Sequence, residues 1–214
     1  MRFSYWNPNG LAYRFLAEAK RIWELQVVSD CHRCLTSVQA VVLINAIYNL
    51  CGLDKIGDIY GLQGFALAQE IGLFDGNTHI QSRRLRDATN FAAWGLFNMD
   101  SLFACQFLRE PFLEHPPKIE LPDPVAQTAW YGELWIRYPT DQHMTPSYHG
   151  PFFKALSEFR VILNEICSVG FITNPKTTPS QAKSFRKRLS KWYNQLPPVL
   201  TPKYIVLPAH FLLQ

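Results

Sequence analysis

Between Ala88 and Leu108 the chain carries a single charged residue, Asp100, in an otherwise apolar or neutral run. Three arginines, Arg83, Arg84 and Arg86, precede that run, and a proline-broken segment follows it as far as Leu121-Pro-Asp-Pro124. A helix this long and apolar nearly all round belongs inside a protein, packed on several sides. A carboxylate in its middle then needs a partner, because an unpaired buried charge is costly. Arg109, nine residues on, or an arginine from Arg83 to Arg86 is the partner to expect. A general acid or base is the rival role for such a group. With no second carboxylate or histidine nearby in sequence, the structural ion pair is favoured.

The helices expected around this run follow from apolar spacing. Leu11 to Gln26 presents Ala12, Phe15, Leu16, Ala19, Ile22 and Trp23 on one face. Leu35 to Leu50 sets Val38, Val42, Ala46 and Leu50 in a row, widened by Val41 and Ile44, with Gly52 placed to cap the end. Asp58 to Ile71 has a small-residue face, Gly61, Gly64 and Ala68, that lets another helix approach closely. The fourth helix spans Arg83 to Leu108, and no run alternates well enough to be a strand. Cys34 to Leu53 holds no Asp, Glu, Lys or Arg over twenty residues, the length a bilayer requires. Thr36, Ser37, Gln39, Asn45 and Asn49 interrupt it, so a buried core helix is the better reading.

Eight of the fifteen prolines fall between Pro111 and Pro151, among Trp130, Tyr131, Trp135, Tyr138 and Tyr148. Proline forbids regular helix, so this is an ordered connector with one short helix at Ala129 to Arg137, held on the core by its aromatics. Helix returns from Pro151 to Val169 along Phe152, Ala155, Leu156, Phe159, Ile162, Leu163 and Ile166. After a loop at Asn174 to Ser180, Gln181 to Leu196 is amphipathic: Phe185, Leu189, Trp192 and Leu196 face in, and Lys183, Arg186, Lys187 and Lys191 face out. Pro197-Pro198 stops it, and an apolar tail runs from Val206 to Leu213. The expected fold is an all-α, multi-helix domain without significant sheet. One domain covers 1–214, with a helical core at 11–110, the connector at 111–151 and C-terminal helices at 152–214.

Patterns that would announce catalysis or a cofactor are missing. No Gly-x-Gly-x-x-Gly, phosphate loop, Gly-x-Ser-x-Gly or His-Glu-x-x-His occurs. Cys31-His-Arg-Cys34 lacks a second cysteine pair for zinc and a thioredoxin-like setting for redox chemistry, so it reads as two ordinary thiols. His143 and His149 near Asp141 read as surface-loop residues without a further fixed metal partner. Five scattered cysteines suit a reducing compartment, and nothing behind Met1 resembles a signal peptide. The basic run Lys183, Arg186, Lys187, Arg188 and Lys191 could meet phosphate or serve as an import signal, but its confinement to one helical face favours a solvated surface. Twenty-one basic against 17 acidic residues, a net charge of +4, argues weakly against DNA contact. No catalytic, cofactor or metal residue is assigned, and no residue set defines an effector pocket.

Three stretches together are similar to the fungal-specific transcription factor domain, the middle homology region of fungal zinc-cluster regulators. Tyr13 to Leu25 resembles that family's first helix. Thr36 to Ala40, Tyr48 to Leu50 and Gly64 to Phe74 resemble its sequential helix pair ending in Gly-Leu. Arg86, Trp94, Leu96, Phe97, Asp100, Arg109 and Pro111 fall on its Arg…Trp-x-Leu-Phe-x-x-Asp…Arg-x-Pro pattern. The likeness continues through Leu121-Pro-Asp-Pro124 and Trp130-Tyr-Gly-Glu133. Ala93-Trp94 stands where the family usually has Trp-Trp, and Arg109-Glu-Pro111 where it has Gly-Arg-Pro.

The resemblance implies a nuclear, non-catalytic regulatory domain controlling RNA polymerase II transcription. It would tune an attached or partner DNA-binding module and meet activation modules, the transcription machinery or a small-molecule effector. Arg86, Trp94, Asp100, Arg109 and Pro111 would be structural members of the motif. Zinc would belong to an N-terminal six-cysteine cluster that this chain does not contain, so the chain itself would bind no zinc, no nucleic acid and no membrane. Its C-terminal end looks cut, since relatives continue as helix. The alternative is a helical small-molecule-binding protein or enzyme with a pocket beneath the proline-aromatic connector. A protein–protein scaffold is the third reading, if the terminal tail stays exposed as an apolar patch.

Overall fold

The computed structural model describes residues 10–29, 32–76, 80–137, 143–171, 177–205 and 207–214. The fold is all-α. Among the described residues the helices are α1 (Leu11–Val28), α2 (Leu35–Leu50), α3 (Asp54–Glu70), α4 (Arg83–Gln106), α5 (Thr128–Tyr131), α6 (His149–Phe171) and α7 (Pro179–Asn194). Three 3-10 segments close the chain at Pro198–Leu200, Pro202–Tyr204 and Pro208–Leu213. The sole sheet among these residues is a two-residue antiparallel ladder, β1 (Trp135–Ile136) with β2 (Thr145–Pro146). No described helix is long and apolar enough to cross a membrane. Backbone contacts divide the chain into two compact units, Met1–Asn77 and Thr78–Gln214, so the expected boundaries at 110 and 151 both fall inside the second.

In the first unit α2 lies on a glycine stripe of α3. A β-carbon at Gly57 would meet Asn49 Oδ1 at 2.5 Å, one at Gly61 would meet Asn45 Nδ2 at 2.7 Å, and one at Gly64 would meet Val41 Cγ1 at 2.9 Å. The small-residue face expected of Gly61, Gly64 and Ala68 is therefore the contact face, extended one turn by Gly57. That contact rotates α2 away from the row expected from sequence. Ser37, Val38, Val41, Ile44, Asn45 and Tyr48 are buried, whereas Leu50 is 76% exposed. The physical reason is proximity: glycines admit the short polar Asn45 and Asn49 side chains, which a row of branched residues would hold off. Gly52, at φ 69°, caps α2 as expected, and the Leu53 amide returns to the Tyr48 carbonyl at 2.9 Å.

α1 corrects a second expectation. Of its predicted inner stripe only Trp23 is buried, donating from Nε1 to Gln63 Oε1 at 2.9 Å. Phe15 and Ile22 remain 73% and 45% exposed.

In the second unit α4 and α6 run side by side in the same direction. Phe91 stacks on Phe153 with ring centroids 4.4 Å apart, Asn98 meets Ser157, and Ser101 meets Asn164. α4 buries one wide face, from Thr89 through Ala104, while Leu102 is 39% exposed. The helix is thus not enclosed all round. α6 is covered on two sides, which its one expected stripe did not anticipate. Phe153, Ser157, Arg160, Asn164 and Cys167 are buried, and Ala155 joins Leu196, Leu200 and Leu213 in a separate apolar cluster.

The connector departs from expectation in its short helix and at its end, where α6 already begins at His149. The helix begun at Thr128 stops at Tyr131, because Gly132 turns the chain at φ 73°, and residues 135–136 become β1 instead. α7 starts at Pro179 through a capping box between Thr178 and Gln181. The terminal 3-10 segment docks by Leu213 and His210, 2% and 1% exposed, and leaves Phe211 and Leu212 at 66% and 63%. Val206, Tyr138, Asp141 and Cys31 lie outside the described residues.

Candidate functional site

Asp100 is fully buried. Its Oδ2 accepts the Leu113 backbone N–H at 2.8 Å, and its Oδ1 accepts from Arg109 Nη2 at 3.3 Å. Of the two partners expected from sequence, the pair forms with Arg109; no hydrogen bond or ion pair among the described residues joins Arg86 to it. Burial raises the Asp100 pKa above the usual carboxylate range and outweighs the opposing pull of the Leu113 amide and the Arg109 guanidinium. Arg109 also donates from Nη1 to the Glu110 carbonyl at 2.9 Å and lies over the Phe112 ring, 4.0 Å from its centroid. Pro111, between these two, is buried and locks the backbone of the turn.

The same segment is held from two further directions. Trp94, 7% exposed, donates from Nε1 to the Ile119 carbonyl at 2.8 Å. Asn164 of α6 donates to the carbonyls of Leu113 at 2.9 Å and Glu114 at 3.1 Å. Together Trp94, Asp100, Arg109, Pro111 and Asn164 fasten residues 109–119 across α4 and α6. Arg86 stands apart, half-buried on the first turns of α4. Sequence reasoning missed Asn164, Asn98 and Ser157. Their signal was available: Ser157 and Asn164 are polar residues seven apart, two helical turns, inside an apolar helix. The carboxylate is sealed from solvent and engaged by a backbone amide and a guanidinium.

Arg160 is a fourth residue that the sequence did not single out. It is 6% exposed, its Nε has no hydrogen-bond partner, and no ion pair reaches it among the described residues. Burial pulls its pKa below the usual arginine range. Nearby Cys167 has its thiol pushed up to about 11, chiefly by burial and then by the neighbouring Cys105.

Among the described residues no three His, Cys, Asp or Glu side chains converge to hold a metal ion. Cys34, at the start of α2, is exposed, and hydrogen bonds with the Ser37 and Thr36 hydroxyls hold its thiol below the ordinary range. His149 is not a loop residue: it opens α6 beside the stacked Phe91–Phe153 pair, 6.0 Å from each ring centroid, and burial lowers its pKa.

A cavity does lie beneath the connector, walled by Pro124, Tyr131, Tyr148 and His149, with a volume of about 130 Å³. Small-molecule sites usually measure about 300–1,000 Å³. Two apolar grooves in the first unit reach that size. One of about 740 Å³ runs between α1 and α2 past Phe15, Ile22, Leu43 and Ile47. The other, about 630 Å³, runs between α1 and α3 past Trp23, Val27, Ile59 and Tyr60.

The proteins this chain is similar to are fungal transcription factors of nitrogen assimilation. It is 30% identical over 216 residues to the nitrogen assimilation transcription factor nit-4 of Neurospora crassa, an overlap covering 91% of this chain and 18% of that protein. It is 25% identical over 218 residues to the nitrogen assimilation transcription factor nirA of Emericella nidulans, covering 93% of this chain and 24% of that protein. The chain thus spans no more than about a quarter of either relative's length. No family model matches it, and no solved structure does.

Proposed function

We propose that residues 1–214 form a regulatory middle homology domain of a fungal transcription factor, acting in the nucleus without catalysis. The similarity to nit-4, at 30% identity over 91% of the chain, carries this reading. In it, an attached zinc-cluster module reads DNA, and this helical domain tunes that module's output to RNA polymerase II in response to nitrogen supply. Activation modules and the transcription machinery are its partners. A small-molecule effector has space in the α1–α2 groove of about 740 Å³. The Asp100–Arg109–Leu113 anchor supports a structural role for the motif, since its groups hold backbone rather than face solvent.

The test is a fusion of the whole chain to a heterologous DNA-binding module in a fungal host, with reporter transcription measured on several nitrogen sources. The expected result is an output that differs from that of the module alone and changes with the nitrogen source. Identical output from fusion and bare module on every source overturns the reading. Purified chain that retains stoichiometric zinc, or binds duplex DNA with a steep salt slope, also counts against it.

A further inference from the structure

α7 is a 16-residue helix with no buried residue and no acidic one. Its outer surface exposes Lys183, Arg186, Lys187 and Lys191, and none of these four is in an ion pair among the described residues. The fifth cation, Arg188, is already committed to Glu165 of α6, donating from both Nη1 and Nη2 to the carboxylate. Its apolar stripe is only partly covered: Trp192 packs on the Ala155, Leu196, Leu200 and Leu213 cluster, and Phe185, Leu189 and Trp192 are each half-buried.

Alongside this basic surface runs a groove of about 430 Å³, with Leu189, Trp192 and Tyr193 on one wall and Leu212 and Leu213 on the other. Both walls are preformed. Trp192 donates to the Ala155 carbonyl at 3.0 Å, Tyr193 Oη donates to Gln214 Oε1 at 3.0 Å, and Gln214 Nε2 donates to the Leu200 carbonyl at 2.9 Å. Phe211 and Leu212 stand 66% and 63% exposed at the rim. Lys183 and Lys187 lie on the helical row that continues through Ser190 and Asn194, which line the groove, so the cations lead directly into it.

We propose that this groove docks an acidic amphipathic peptide helix. Its bulky apolar side chains would enter between α7 and the terminal 3-10 segment, and its carboxylates would meet Lys183, Lys187 and Lys191. These lysines are four residues apart, about 6 Å per step along the helix, the same repeat that an acidic helix offers at i, i+4. Helix-in-groove recognition lays an apolar helix face into an apolar trough, and here α7 sets a basic margin beside that trough. A phosphate backbone would use the lysines and leave the apolar trough empty, so the surface fits a peptide better than a nucleic acid.

The test uses the full 214-residue chain and three fluorescent probes followed by anisotropy. They are a helical peptide with Asp or Glu every fourth residue and Leu or Phe between, its Asn/Gln counterpart, and a short DNA duplex. The acidic peptide is expected to bind about tenfold more tightly than the neutral one. Lys187→Glu with Lys191→Glu, both exposed, should weaken it by a further order of magnitude, and Leu212→Ser should weaken both peptides. Circular dichroism of each variant checks that the helices persist. Amide NMR shifts of the unmodified chain locate the contact independently of any variant: shifts on α7 and residues 207–214 support the proposal, and shifts confined elsewhere overturn it. Equal binding of both peptides, or tighter binding of the duplex than of the acidic peptide, also overturns it.

Discussion

Asp100 accepts the backbone amide of Leu113 at 2.8 Å across thirteen residues of chain. A side chain fixed in the middle of α4 thereby sets where the proline-rich connector begins. Arg109 and Asn164 grip the same turn from either side, so the connector's path is defined at its root.

Removing that acceptor should be expensive. Asp100→Ala leaves a buried amide and a half-buried guanidinium without their partner and is expected to cost about 3 kcal/mol, read from urea unfolding. Asp100→Asn keeps one acceptor and should cost less. Because burial raises the Asp100 pKa, this group's contribution is full below its ordinary 3.8 and declines as pH rises through the folded value. The Asn variant should therefore show a flatter stability profile just above pH 4. An unchanged profile would remove Asp100 from the titrating set.

The glycine stripe of α3 makes a paired prediction. Gly57→Ala brings a β-carbon to 2.5 Å from Asn49 Oδ1 and 3.1 Å from the Asn45 backbone carbonyl. Overpacking of about 1–3 kcal/mol should exceed the roughly 1 kcal/mol gained in helix propensity. Gly95→Ala in α4 meets nothing within 4 Å and should stabilise by up to about 1 kcal/mol. Thermal midpoints moving in the same direction for both variants would contradict the close approach of α2.

Acid sensitivity should trace in part to His149. Its folded pKa lies below the ordinary 6.5 because the ring is desolvated against Phe91 and Phe153. A lowered base leaves stability full above pH 6.5 and loses it as pH falls through the folded value, since the unfolded chain takes up the proton first. His149→Gln should flatten that loss between about pH 6.5 and the folded pKa. A profile identical to the parent's would show that the ring titrates normally.

Arg160 is a burial cost with little visible return: its guanidinium lies 5.5 Å from the Phe159 ring centroid, and its buried Nε has no partner. Arg160→Met preserves much of the aliphatic volume and removes a guanidinium that lacks a carboxylate partner, so it should raise stability by about 1 kcal/mol or more. A clear fall in the thermal midpoint would mean that the charge is compensated in the folded protein.

The existence and order of the long helices were legible because apolar periodicity and breakers are local: Leu35 to Leu50 is the helix that the spacing of its apolar residues predicts, though α3 starts at Asp54, one turn before the expected Asp58, and α5 stops at Tyr131. The Asp100–Arg109 pair was legible as one of two options, since a lone charge in an apolar run demands compensation. The orientation of α2 was not, because it depends on which surface of α3 permits the closest approach. Nor was the second face of α6, where Ser157 and Asn164 satisfy α4 while Ala155 and Trp192 define a separate cluster.

What the amino-acid order determined alone is the all-α class, the positions of the breakers and the need for a partner at Asp100. All three follow from backbone geometry and the cost of desolvating charge within a few turns. Tertiary structure decided which apolar stripes became core. The α1 stripe stayed open because the first unit brings only Trp23 of it under cover, and the terminal tail split between buried Leu213 and exposed Phe211. Burial depends on what arrives from distant parts of the chain, and spacing along one helix cannot specify that arrival.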